Sequence, residues 1–226
     1  MPDPQVSICY NPPVMKHTDW LSVLLGNTAT VKLLRLFLFN PSIILGVDDI
    51  LRRARLVRHT ARTELSVLER ADIIRKKQMF IVGAHGKKRR VQGYALNHKF
   101  PKLVALQAFL FDTAPLDSKT VFRHVRKAGK LDLIVTSGIF SRTFDGRLDL
   151  ILAAKKIPQG KVEAAVRTLE AELGIEIRFA IFTTEDFLYR LGMYDKLTRD
   201  VFDYPHQILV DRIGVRDSLR TQTAVF

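Results

Sequence analysis

The feature that most restricts the fold is a change of hydrophobic period at Ile73. Before it, apolar residues recur at helical spacing in three short runs; after it, they alternate along two segments around a basic turn. "NTATVKLLRLFLFNPS" offers Asn and Thr as N-caps, puts Val31, Leu34 and Leu38 on one side and stops at Asn40-Pro41, which predicts an amphipathic helix. A short extended "SIILG" follows. "VDDILRRA" has two acids in its first turn and two arginines in its last, complementing the helix dipole, with Ile50, Leu51 and Ala54 on a shared face. After a break at "RLVR", "HTARTELSVLERA" resumes the period with Ala61, Leu65 and Leu68 inward and His59, Arg62, Thr63 and Ser66 outward. "IIRKKQMFIV" and "RRVQGYAL" then read as strands around "GAHGKKR", whose glycines permit a turn.

Three helices and a basic hairpin in this order make a winged helix-turn-helix. The segment 19–100 resembles the winged-helix DNA-binding domains of bacterial and archaeal transcriptional regulators through "TVKLLRLFLFNP", "TELSVLERADIIRKK" and the Gly-Lys-Lys-Arg-Arg run ending at Arg90. The resemblance implies that the third helix enters the major groove while the hairpin touches the neighbouring backbone or minor groove. Arg62 suits bidentate recognition of guanine, whereas His59, Thr60, Thr63 and Ser66 each offer one or two hydrogen bonds. Arg58 joins this set, and Lys87, Lys88, Arg89 and Arg90 are read as phosphate anchors. Two departures predict altered turns: the inter-helix turn has no glycine, and Ala71-Asp72 stands where a residue-Gly pair is common.

Charge supports a polyanionic partner. The chain of 226 residues has a formal net charge of +13, of which +1 falls in 1–46, +9 in 47–100 and +3 in 101–226. The start lacks the basic run and long apolar stretch of a signal peptide, and "LLRLFLFNPSIILGV" is broken by Arg35, Asn40 and Pro41 short of a membrane span, so a cytoplasmic protein is expected. The single cysteine, Cys9, excludes an internal disulfide framework and a Cys-rich zinc site.

Beyond residue 101, helical "PKLVALQAFLF" and "SKTVFRHVRKAG" precede strands "LDLIVTSG" and "RLDLILAA", helix "GKVEAAVRTLEAELG", strand "IEIRFAIFT", helical "TEDFLYRLGMYDKLTRDVF" and extended "QILVDRI". This is an α/β region with a small mixed sheet. It resembles the minimal nucleotidyltransferase domain, in which a Gly-Ser turn, an Asp-x-Asp pair and a third acid hold two metals and nucleotide phosphates. The matching positions here are Gly138-Ile139, Arg147-Leu148-Asp149 and Glu176. Arginine in a metal-ligand position repels a cation, so the resemblance implies a non-catalytic relic. Asp145 in "FDG" reads as a turn residue, and Asp149 as a capping or ion-pairing one. Gly138, Arg142 and Arg147 remain as an alternative metal-free anion site. His98, His124 and His206 are far apart in sequence and read as surface or packing residues, and no Walker loop, Gly-x-Ser-x-Gly, HExxH or dinucleotide fingerprint is present.

The architecture as a whole resembles a family of prokaryotic transcriptional regulators in which a winged helix is fused to a degenerate nucleotidyltransferase-like domain. The expected fold class is therefore α+β, with an irregular tail at 1–18, a winged helix-turn-helix at 19–100, a nucleotidyltransferase-like domain at 101–214 and a frayed tail at 215–226. The expected function is sequence-specific regulation on double-stranded DNA by a homodimer, with no cofactor, metal or membrane and with room for a small-molecule or nucleotide effector. The rivals are an active metal-dependent nucleotidyltransferase and a structural nucleic-acid-binding protein without sequence preference. Excess apolar surface in "EDFLYRLGMYDKLTRDVF" places a self-association interface in the second region.

Overall fold

A computed structural model describes residues 19–82, 86–143, 147–156 and 159–223. Cys9, Asp145 and the tail 1–18 lie outside them. The fold is α+β, with helices and two small sheets. Among the described residues no helix is long and apolar enough to cross a membrane.

Side-chain caps start the first two helices. Asp19 accepts from the Leu21 amide ahead of α1 (Trp20–Leu24), and Asn27 accepts from the Ala29 amide ahead of α2 (Thr28–Leu38). The predicted one-sided stripe on α2 proves too narrow, because Leu33, Arg35, Leu36 and Phe37 are buried as well as Val31, Leu34 and Leu38. A helix buried nearly all round must be packed from several directions. Strand β1 (Leu45–Gly46) leads into α3 (Val47–Ala54), and three residues later comes α4 (Arg58–Arg70).

The two turns that lack glycine keep left-handed geometry. Arg55 closes α3 at φ 51°, and Asp72 follows α4 at φ 57°. Arg55 is held there by donating to the Ala164 carbonyl at 3.2 Å and the Thr168 hydroxyl at 2.8 Å, and Asp72 by accepting from Arg75. Strands β2 (Ile74–Val82) and β3 (Lys88–Leu96) form a long antiparallel hairpin, and β1 adds to the far side of β3 in the order β1-β3-β2. Only the hairpin base is buried; from Arg75 to Val82 the strand is mostly exposed.

Helix α5 (Leu103–Asp112) was expected to open the second region. Instead Leu110, with Leu103 and Leu106 beside it, packs on the first core, and the second core begins with Phe111 and Leu116. Helix α6 (Ser118–Val125), capped by Asp117, precedes β4 (Leu133–Thr136), β5 (Leu150–Ala154), α7 (Gln159–Leu173), β6 (Phe179–Thr183), α8 (Thr184–Gly192), α9 (Lys196–Asp203) and β7 (Gln207–Asp211). The sheet order is β6-β5-β4-β7, with β5 parallel to β6 and the other pairs antiparallel. Strand alternation feeds two cores. Ile134, Leu150 and Leu152 join α6 and α7 on one face, while Leu133, Val135, Ile151 and Ala153 join Phe187 of α8 and Val201 of α9 on the other.

The segment after Gly214 does not fray at once. It forms α10 (Val215–Thr223), because the Asp211 carboxylate accepts from the amides of Ile213, Gly214, Val215 and Arg216 and Val215 is fully buried. Burial pushes the Asp211 carboxyl up, but these four amide bonds outweigh it and hold the group below its usual value.

The halves meet through a polar joint. Arg35, almost fully buried on α2, pairs with Asp19 at 2.5 Å and donates to the carbonyls of Glu172 at 3.1 Å and Thr113 at 3.3 Å. Asn40 donates to the Gly174 carbonyl at 2.7 Å, and Arg53 pairs with Glu176 at 2.6 Å. Gly174, at φ +72°, lies so close to α2 that a Cβ would stand 2.6 Å from the Arg35 carbonyl carbon. Only glycine satisfies both the backbone angle and the approach.

Candidate functional site

Helix α4 turns one face inward through Ala61, Leu65 and Leu68. A fourth buried residue, Glu64, accepts from the Asn27 side-chain amide at 2.7 Å and the Thr30 hydroxyl at 2.6 Å. These bonds fix α4 against the start of α2. Sequence reading missed Glu64, since an isolated acid on a helix normally faces solvent.

The opposite face carries Arg58, His59, Arg62, Thr63 and Ser66, all exposed, with Thr60 half-buried. Arg62 has no ion pair among the described residues. Arg58 differs, pairing with Asp48 at 2.6 Å, and the Thr63 hydroxyl is turned back to the His59 carbonyl at 3.2 Å. An exposed ion pair of this kind contributes about 0–1 kcal/mol, so an incoming phosphate can compete for Arg58.

The hairpin extends the basic surface. Lys87, Lys88, Arg89 and Arg90 are exposed and have no ion pair among the described residues. At the base, Lys76 meets Glu69 at 2.7 Å, a bond that raises its pKa, and Arg75 meets Asp72. Register sets Lys88 opposite Val82 and Arg90 opposite Phe80, so cations and apolar side chains share one face. Phe80 and Val82 are 68% and 69% exposed, enough to touch a partner that the cations attract. The run "MFIV" had read simply as strand; its exposure follows from the hairpin projecting past its own core.

The 137–154 segment is organised around Asp149, which is fully buried. Its Oδ1 accepts from the Ile139 amide at 3.0 Å and Arg178 Nη2 at 2.9 Å; its Oδ2 accepts from the Arg178 amide at 2.9 Å and Nε at 3.0 Å. A carboxylate offers about four lone-pair positions, and all four are used. The Asp149 bond also raises the Arg178 pKa. Gly138, at φ +54°, lies over this carboxylate, and a Cβ there would fall 2.1 Å from Oδ1. Ser137 donates to the Leu148 carbonyl at 2.7 Å, completing the turn.

The alternative anion site at Gly138, Arg142 and Arg147 does not assemble from free cations. Arg142 pairs with Asp112 at 3.3 Å and lies over the Phe111 ring, while Arg147 pairs with Asp200 at 2.8 Å. Each arginine answers a different carboxylate, and the Gly138 turn is filled by Asp149. Glu176, read from the sequence as a candidate third acid, is occupied by Arg53.

Compared with known proteins, the chain matches no family model and no curated protein. The described residues also contain no group of three or more His, Cys, Asp or Glu side chains placed to hold a metal. His98, His124 and His206 stand apart: their ring nitrogens meet Pro41 O at 3.1 Å, Glu172 Oε2 at 3.1 Å and Tyr204 O at 2.9 Å respectively.

Proposed function

We propose that the chain is a sequence-specific DNA-binding transcriptional regulator in which 19–100 acts as a winged helix-turn-helix and the second half as a non-catalytic, nucleotidyltransferase-like support. The observation that carries this reading is the exposed polar face of α4 on the same unit as a projecting hairpin, with Arg62 and four consecutive hairpin cations unpaired among the described residues. Such a surface pairs a helix able to read base edges with a separate element able to hold phosphates. The full occupation of Asp149 by Arg178 and the Ile139 amide, and the pairing of Arg147 with Asp200 where a metal-ligating carboxylate would stand, support the non-catalytic reading of the second half. Leu188, Tyr189, Met193 and Tyr194 remain exposed on and after α8, whereas Phe187 and Leu191 enter the core; that exposed group supports self-association.

Selection of fragments bound by the full chain from random or genomic DNA tests the reading. An enriched palindrome is the expected result, since a symmetric dimer reads two half-sites. Salt-sensitive binding with no enriched sequence would instead make the protein a non-specific nucleic-acid binder.

A further inference from the structure

The outer side of α5 carries a pattern of its own. Leu103, Leu106 and Leu110 pack on the first core, which leaves Val104, Ala105, Ala108 and Phe109 exposed along one stripe of the helix. No charged residue interrupts the sequence from Leu103 to Phe111. Helix α1 presents a second exposed stripe through Trp20, Val23 and Leu24, and its Trp20 ring meets Phe109 edge to face at 6.4 Å, which joins the two stripes into one apolar face. These side chains leave on the order of 500 Å² open to water, and two such faces brought together cover about 1,000 Å², the size at which specific protein interfaces begin.

The order of residues along α5 identifies the partner. Lys102, the N-cap of the helix, is followed by Ala105, Phe109 and Asp112 at spacings of three, four and three residues, all exposed, which sets the four on one seam. Reversing that seam exchanges Lys102 with Asp112 and Ala105 with Phe109. An antiparallel second copy therefore lays each Phe109 ring over the small Ala105 of the other copy and each Lys102 ammonium beside the opposite Asp112 carboxylate, whereas a parallel copy would oppose like charges. Lys102 has no ion pair among the described residues, and the bond from Arg142 to Asp112, at 3.3 Å, is exposed.

We infer that this face binds a second copy of the chain, with α5 antiparallel to α5 across a twofold axis and α1 flanking the pair. The inference gives the self-association of the proposed regulator a different centre from the exposed α8 residues, which lie among the paired charges of Asp186, Arg190 and Asp195. Because assembly is measured without nucleic acid, failure of this contact and failure of DNA reading are separate results.

The test is sedimentation of the full chain over a concentration series, together with acrylamide quenching of Trp20, the single tryptophan. A dimer is expected at micromolar concentration, with Trp20 becoming shielded as it forms. Val104→Glu changes a side chain that is 79% exposed, so it should keep the wild-type circular dichroism spectrum, and it should weaken the dimer at least about tenfold by placing a charge in the apolar contact. Lys102→Glu should weaken it several-fold, and adding Asp112→Lys to the same chain should restore it, because the exchange rebuilds both opposite pairs. A wild-type monomer at high micromolar concentration overturns the proposal; if its Trp20 is nevertheless shielded, residues 1–18 are the occupant instead. Wild-type dimer affinity in Val104→Glu also overturns it, and loss of that dimer in Tyr189→Glu would move the contact to α8. A Lys102→Glu variant without effect, or without rescue by Asp112→Lys, overturns the antiparallel arrangement.

Discussion

The cations of α4 and its hairpin and the arginines of the 137–178 region are the same kind of side chain in opposite circumstances. Among the described residues Arg62, Lys87, Lys88, Arg89 and Arg90 face solvent unpaired, whereas Arg142, Arg147 and Arg178 each answer a carboxylate. The difference teaches that a basic residue's role is set by what stands beside it. A solvated cation adds little to stability and remains available to an external polyanion; a cation paired with a buried acid is part of the fold.

Removing the cation that answers a buried acid should therefore cost stability, and removing a free one should only unbind. The largest effect is expected for Arg178→Ala, which leaves the Asp149 carboxylate buried without a counter-charge. Because the Arg178 side chain is half-exposed and the amides of Ile139 and residue 178 still bond the carboxylate, it should lose roughly 1.5–3 kcal/mol in urea unfolding. A loss under about 1 kcal/mol would erase the distinction between the two regions. Arg62→Ala should leave stability within about 0.5 kcal/mol and lower affinity for a preferred DNA site by about 1–3 kcal/mol, with little change on other sequences. The double change Lys87→Ala with Lys88→Ala should weaken all sequences alike and flatten the logarithmic salt dependence by about 2, seen in titrations across a salt series.

Acid sharpens the comparison from the carboxylate side. Asp211 and Glu172 have folded pKa values below their unfolded ones, so their contribution is present above the unfolded values and disappears as pH falls through the folded ones. Denaturation midpoints should accordingly drop in the acid range, and Asp211→Asn should reduce that dependence. The smallest effect is expected for Asp72→Gly. Relief of left-handed strain outweighs the loss of an exposed Arg75 pair, so stability should rise by up to about 1 kcal/mol in thermal melts.

The helices and strands were legible where apolar period was strong, as in α4, β2–β3 and β4–β5. What the sequence hid was long-range polar pairing. Arg35 reads as an interruption of an apolar helix, yet its partners lie 78 and 137 residues away, and Arg178 meets Asp149 across 29 residues. Helix α10 is polar and its anchoring carboxylate belongs to the preceding strand, so local pattern suggested a loose end. Helix α5 has apolar residues on every side, and periodicity could not say which core would take it. At the candidate DNA surface, the exposed polar face of α4 was legible from spacing alone, whereas Glu64 and the apolar hairpin residues acquired meaning only with the packing. At the 137–154 turn, residue types offered Asp149 as a capping or ion-pairing residue but did not say that Arg178 would be its partner.

Helix α2 touches both halves, and this has a mechanical consequence. Its first turn holds Glu64 of α4 through Asn27 and Thr30, and its middle bears the Glu172 and Gly174 end of α7. Eleven residues at about 1.5 Å each make a rod of roughly 16 Å. A tilt imposed at the α7 end is therefore delivered to α4 along a single stiff lever, with no loop between to absorb it, so a shift of the second half changes the angle at which Arg62 and Ser66 are presented.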